Sequence, residues 1–295
     1  MFKKLSALLL ISAFSLALLS GCSGGKQIVI GSKNFTESEI LAEMMAQLIE
    51  KNTDIKVERK INMGGTLVCF EAIKKGQIDL YPEYTGTGLM EELKLPVNNN
   101  PDEVYQTVSK EFQEQFQITW LKELGFNNTY ALAMPAELAE SNNIKTISDL
   151  VPYSKNYVFG GEQEFFNRDD GYSGLTSTYG LTFKDTAKMD PSLKYQAVSQ
   201  GQIQVTDAFA TDGQLKALSL TILKDDKNFF PPYYAAPIIR DDTLKKYPEL
   251  EDLLNKLGGL IDDQTMQDLN YKADTEKQSI EQVATDFLTA NGLIS

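Results

Sequence analysis

The chain has 295 residues and 42% hydrophobic content, enough for one large domain or two medium ones with real cores, which excludes a disordered protein. Forty-one acidic residues against 28 basic ones give a formal charge of -13, which repels nucleic acid and anionic lipid, so no nucleic-acid partner is expected. Histidine is absent, which removes the usual general base and the commonest metal ligand together.

Lys3 and Lys4 precede an apolar run from Leu5 to Leu19 and the small residues Ser20 and Gly21, the pattern of an export signal. The run Leu18-Leu19-Ser20-Gly21-Cys22 resembles a bacterial lipoprotein signal, which implies a cleaved peptide over residues 1–21, acylation of Cys22 and a short lipidated tether over residues 22–26. An uncleaved membrane helix is the alternative, but the run falls short of the ~20 residues that span a bilayer. With Cys22 lipidated, Cys69 has no disulfide partner, and its setting in Leu67-Val68-Cys69-Phe70 is that of a buried, inert thiol.

Beyond the tether, short apolar runs alternate with amphipathic stretches, which predicts an α/β fold on partly parallel sheets. Gln27 to Ile30 forms the first expected strand. Thr36 followed by Glu39 suggests a capping box opening a helix that carries Ile40, Leu41, Met44, Met45, Leu48 and Ile49 on its apolar face. The segment Phe70-Glu71-Ala72-Ile73-Lys74-Lys75-Gly76-Gln77-Ile78 then finds an echo in Tyr195-Gln196-Ala197-Val198-Ser199-Gln200-Gly201-Gln202-Ile203. Eight residues after each glycine stands an aromatic, Tyr84 or Phe209, and four further on another glycine, Gly88 or Gly213. Each copy predicts helix, tight turn, strand and an aromatic at the strand's carboxyl end, where open α/β sheets bind ligands. Two copies far apart suggest two similar lobes facing across a cleft; a coincidence of a common helix-turn-strand pattern is the other reading. The loop from Pro96 to Pro101 is expected to be a solvated turn.

No Ser-His or Cys-His pair can form, no zinc site is expected, and no cofactor is called for. The adjacent acids Asp169-Asp170, Glu91-Glu92 and Asp262-Asp263 have the look of solvated surface, so no enzymatic activity is expected. Aromatics instead gather at turns and strand ends: Tyr81, Tyr84, Tyr130, Phe209 and the run Phe229-Phe230-Pro231-Pro232-Tyr233-Tyr234. Converging ring faces make a cage for a cation, above all a quaternary ammonium, which has no N–H to donate. A carboxylate at the solute's other end would need donors such as Lys33 and Arg168, both in turn-like contexts.

Four segments, Gly31-Ser32-Lys33-Asn34-Phe35-Thr36-Glu37, Tyr81-Pro82-Glu83-Tyr84-Thr85-Gly86-Thr87-Gly88, Asp207-Ala208-Phe209-Ala210-Thr211-Asp212-Gly213 and Phe229-Phe230-Pro231-Pro232-Tyr233, resemble the substrate-binding subunits of osmoprotectant ABC transporters of the ProX/OpuC type. The resemblance runs through essentially the whole mature chain. It implies the type II periplasmic-binding fold, two α/β lobes joined by two crossovers near Asn128 to Ala131 and Phe229 to Tyr234, with lobe 1 over residues 27–128 and 233–295 and lobe 2 over residues 129–232. It places the cage on Tyr84, Tyr130, Phe209 and Tyr233 with the carbonyl of Asn128, and the carboxylate-binding positions on Lys33, Thr87 and Arg168. Phe209 departs from the tyrosine of many relatives, keeping the ring face but losing a hydroxyl. The implied ligand is glycine betaine, carnitine or choline, with a zwitterion favoured. The implied partners are ABC permease subunits and, through lipid on Cys22, the extracytoplasmic face of the membrane, with the chain a monomer. A larger betaine such as ergothioneine, or an adhesion or signalling role for a surface lipoprotein, are the alternatives.

Overall fold

The computed structural model describes residues 26–295; the expected signal peptide, Cys22 and the tether up to Gly25 lie outside the described residues. Two five-stranded sheets carry the chain. The first holds β1 (Gln27–Gly31), β2 (Lys56–Lys60), β3 (Leu80–Tyr84), β4 (Ile118–Trp120) and β10 (Ala235–Arg240), in the order β2-β1-β3-β10-β4. The second holds β5 (Tyr130–Pro135), β6 (Val158–Glu162), β7 (Asp185–Met189), β8 (Val205–Phe209) and β9 (Leu220–Leu223), in the order β7-β6-β8-β5-β9. In each sheet the central strand, β3 or β8, has a parallel neighbour on one side and an antiparallel one on the other. The two sheets therefore match strand for strand, and each borrows its fourth strand from across a crossover.

Burial follows position in the sheet. The central segments Leu80–Tyr84 and Val205–Phe209 are buried at every residue, as strands covered on both faces must be, whereas the outer strands β2 and β7 are charged and largely exposed. Helix α1 (Thr36–Asn52) packs most deeply: Ile40, Leu41, Met44, Met45, Leu48 and Ile49 are each at most 1% exposed, so its expected apolar face is the one in the core. Helix α4 (Ile280–Ala290) covers it from outside. The expected capping box is absent. Helix α1 begins after Phe35 with no side-chain cap; Thr36 instead donates to Asp274 at 2.5 Å and Glu39 accepts from Asn62. Both side chains are drawn away by tertiary partners.

The internal echo is structural. Helix α2 (Thr66–Lys74) and helix α3 (Pro191–Ser199) end in the same turn, with Gly76 at φ +66 and Gly201 at φ +70. Their closing bonds correspond, Gln77 N–H to Ala72 at 2.8 Å and Gln202 N–H to Ala197 at 3.0 Å. Nothing lies within 4 Å of a Cβ added at Gly201, so glycine there serves the left-handed backbone alone. The crossovers run side by side: Asn127 and Tyr234 form an antiparallel bridge, and the Asn128 N–H donates to the Tyr233 carbonyl at 3.0 Å.

Candidate functional site

The carboxyl ends of β3 and β8 bring Tyr84 and Phe209 to the gap between the sheets, as strand ends of open α/β sheets do. Tyr130 opens β5 directly opposite Phe209 in the β5–β8 register, which sets the two ring centroids 4.6 Å apart. Tyr233, on the second crossover, meets Tyr130 edge-on at 5.5 Å and 84°. Phe35, just before α1, completes the circuit, stacked on Phe209 at 5.6 Å and tilted against Tyr84 at 6.0 Å. All eight expected site residues, Lys33, Tyr84, Thr87, Asn128, Tyr130, Arg168, Phe209 and Tyr233, stand in the wall of this one pocket.

The two bases are not free charges. Lys33 donates to Glu83 at 2.5 Å and Thr66 at 2.9 Å, with its ammonium 5.2 Å from the Tyr84 ring centre. Arg168 is held by Asp170 through two bonds of 2.6 and 2.5 Å, and its Cζ lies 5.3 Å from the Tyr130 ring centre. Asp170 also accepts from the Tyr233 hydroxyl at 2.6 Å. Two of the five guanidinium N–H groups are thus spent on Asp170, and three remain turned toward Thr66 at 3.5 Å, Thr87 at 3.4 Å and the Glu164 carboxylate at 3.8 Å. Burial pulls the Arg168 pKa down, but Asp170 and its neighbours outweigh it and hold the guanidinium above its usual value. Burial likewise pushes Tyr84, Tyr130 and Tyr233 up, so all three hydroxyls stay neutral donors.

Three expectations fail here. Tyr81 is fully buried inside the first sheet, bonding Glu83 and Glu92, and takes no part in the pocket. Asp170 is fully buried and holds Arg168, although its neighbour Asp169 is exposed surface as expected. Glu91 is buried as well, accepting from the Asp169 N–H at 3.1 Å, while Asp262 and Asp263 are exposed as expected. Cys69 is buried, and desolvation pushes its thiol up to about 12. Sequence reasoning also missed Phe35, Thr66 and Glu162. Glu162 ends β6 beside β8, so the strand-end rule that found Phe209 could have found it.

The pocket is tight, about 30 Å³, with room for water-sized molecules only. A larger polar cavity of about 630 Å³ adjoins it, sharing Asn34, Phe35, Asn128, Glu162 and Phe209 and bordered by the acids Glu37, Glu39, Asp190, Asp212 and Asp274. Size does not decide between them: the rings converge on the small one. Glu162 borders both, its Oε1 taking Lys194 at 2.5 Å. Lys194 serves Asp207 too, at 3.3 Å, so two carboxylates compete for one ammonium. Burial, aided by Asp207, raises Glu162 to about 7 against the pull of Lys194. Among the described residues no cluster of acids and thiols is placed to hold a metal ion, and no helix is long and apolar enough to cross a membrane.

Two matched α/β lobes that meet over a ring-lined pocket, with paired crossovers behind it, define a two-lobed ligand-binding protein of the type II periplasmic-binding fold. The chain belongs to the family described as the substrate binding domain of ABC-type glycine betaine transport systems, which it matches over residues 26–290. It is 42% identical over 269 residues, 91% of its length, to the ergothioneine transport permease/ergothioneine binding protein EgtU of Helicobacter pylori (strain G27), of which it spans 48%. It is 37% identical over 289 residues to the carnitine transport binding protein OpuCC of Listeria monocytogenes serotype 1/2a (strain 10403S), covering 97% of this chain and 94% of that one. Among solved structures, a glycine betaine/carnitine/choline ABC transporter superposes with a TM-score of 0.74 at 32% identity, over 91% of this chain and 100% of the other. Apo YehZ of Escherichia coli gives 0.65 at 27% identity, over 92% and 100%.

Proposed function

We propose that this chain is the extracytoplasmic solute-binding subunit of an ABC importer, not an enzyme, and that it captures a quaternary ammonium zwitterion between its lobes and delivers it to a membrane permease. The observation that carries the reading is the convergence of Tyr84, Tyr130, Phe209 and Tyr233, drawn from both lobes and a crossover, on one buried pocket. Ring faces attract a cation that has no N–H to satisfy. The three N–H groups of Arg168 not bonded to Asp170, held only by long contacts to Thr66, Thr87 and Glu164, receive the carboxylate together with Thr87 and Lys33; because Glu83 and Asp170 already neutralise both bases, they do so as hydrogen-bond donors and not as net charge. Asn128 lines the crossover side. The lobes comprise residues 27–128 with 233–295 and residues 129–232, and a solute bridging them favours the closed state. Lipid on Cys22 anchors the chain, as a monomer, to the outer face of the membrane.

A thermal-shift panel of glycine betaine, carnitine and choline on the full chain tests this. A binder at 100 times its Kd adds about 2.7 kcal/mol of stability and raises Tm visibly. Silence from every quaternary amine would favour an adhesion or signalling role, and a clear preference for choline would remove the carboxylate contacts. Ergothioneine belongs in the panel as a second reading: the polar cavity of about 630 Å³ beside the cage offers space for a betaine with a larger head.

A further inference from the structure

Glu37, in the first turn of α1, is 3% exposed, and among the described residues no lysine or arginine bonds its carboxylate. Its partners come from every side of the lobe junction. Tyr84 of the cage donates to Oε1 at 2.8 Å, the Asn128 amide on the first crossover meets Oε1 at 2.7 Å, Thr211 of the opposite lobe meets Oε2 at 2.5 Å, and Asn270 donates to Oε2 at 3.1 Å. Thr211 also meets the Asn128 amide, at 2.8 Å.

Glu37, Asn128 and Thr211 close a ring of three polar contacts. The Asn128 amide offers its NH₂ to one side only, since the other atom is its carbonyl oxygen, and the Thr211 hydroxyl has one proton. Two donors cannot fill three contacts. Turning the Asn128 amide over moves the deficit from one contact to another without removing it. The ring is complete only when Glu37 carries a proton. Burial points the same way, raising Glu37 to about 7, while hydrogen bonds from Thr211, Tyr84 and Asn270 oppose it and Asp212 adds to it. The other charged groups on this side, Glu39, Asp274 and Lys277, border the adjoining cavity, and Lys33 lies beyond the Tyr84 ring.

We propose that Glu37 is a proton-carrying clasp between the lobes, a positioning residue whose protonation accompanies closure, so that solute capture takes up a proton. Parting the lobes breaks the Glu37–Thr211 bond and admits water to the carboxylate, which then ionises at an ordinary pH. By linkage, affinity is highest in acid and falls as pH rises through the interval between the open and closed pKa values. A cation in the cage favours the ionised carboxylate; taken as about 9 Å away at an effective dielectric near 20, it works against the clasp by a factor of about 20. With Glu37 raised to about 7 in the closed form, that leaves roughly a fourfold fall in affinity from pH 5 to pH 8, where the shift alone would give nearly two decades.

The inference rests on the solute-binding reading above, and one experiment separates the two: calorimetric titration of the full chain with glycine betaine and choline, neither of which titrates between pH 5 and 8, in buffers of different ionisation enthalpy. Wild type should take up a fraction of a proton on binding and weaken by about fourfold toward pH 8. Glu37→Gln, whose amide is a permanent donor to Thr211 although it no longer accepts from Asn270, should show a flat profile with no weakening from pH 5 to pH 8. A flat or rising wild-type profile, or a slope that survives in Glu37→Gln and so belongs to Glu162, overturns the clasp while leaving the solute reading intact. If the variant does not fold, the Glu37 carboxyl carbon resonance in wild type decides, since a bound-state pKa no higher than the free one also overturns it. Absence of binding by either amine at any pH overturns both.

Discussion

Asp170 holds together two elements of the pocket that the chain brings from far apart. Its carboxylate, fully buried, takes Arg168 through two bonds of 2.6 and 2.5 Å and Tyr233 through one of 2.6 Å. Asp170→Asn keeps the shape and removes the charge, leaving a guanidinium that is 4% exposed with only the half-buried Glu164, 3.8 Å away, as a carboxylate partner. Removing one member of a buried pair costs about 3–5 kcal/mol, because the remaining charge stays desolvated. Arg168→Met should relieve that penalty, so the double variant should be more stable than the sum of the single losses by about 2–3 kcal/mol. Urea unfolding of the full chain and the three variants, without ligand, measures the cycle. A loss below about 1 kcal/mol for Asp170→Asn, or strict additivity in the double variant, would refute the view that Asp170 is the counter-charge of Arg168.

Tyr84→Ala should weaken binding of a quaternary amine by about 1–2 kcal/mol, read by calorimetry, and unchanged affinity would take this ring out of the cage. A Cβ at Gly86 would stand 2.7 Å from Tyr233 Cδ1 and 2.8 Å from the Pro232 carbonyl, so Gly86→Ala should displace the Tyr233 ring and lower affinity. Gly201→Ala, at φ +70 in open space, should instead cost about 1–2 kcal/mol of stability and leave affinity alone. Cys69, fully buried with its thiol pushed up to about 12, should resist maleimide in the folded chain and react once urea unfolds it; rapid labelling at Cys69 in native protein, read by peptide mapping, would contradict that. In the closed chain burial raises Glu37 to about 7, whereas unfolded it ionises near 4.5, so its contribution to the closed form is present in acid and is lost as pH rises through that interval. With saturating glycine betaine, the Tm of Glu37→Gln should therefore decline less than that of wild type between pH 5 and 8.

The lobes were legible in the sequence because the same local rule is written twice. A left-handed turn admits glycine with little competition, so Gly76 and Gly201 mark the start of β3 and β8, and the rings Tyr84 and Phe209 follow at a fixed distance. Lys33 and Arg168 were legible from their turn-like settings and Tyr233 from the gathering of aromatics, whereas Thr87 and Asn128 came from resemblance alone. Side chains governed by partners far along the chain were hidden: Thr36 has the spacing of a cap, yet Asp274 claims it from 238 positions away. Asp170 has the composition of surface beside Asp169, and only the approach of Tyr233 and Arg168 makes it core. The proton count around Glu37 needs three segments that meet only in the folded chain.

The location of the ligand tests the account most directly. A crystal structure of the full chain with glycine betaine should place the trimethylammonium among Tyr84, Tyr130, Phe209 and Tyr233, with the carboxylate on the N–H groups of Arg168. Density for the solute in the neighbouring acidic cavity of about 630 Å³, with the rings still closed on one another, would contradict it.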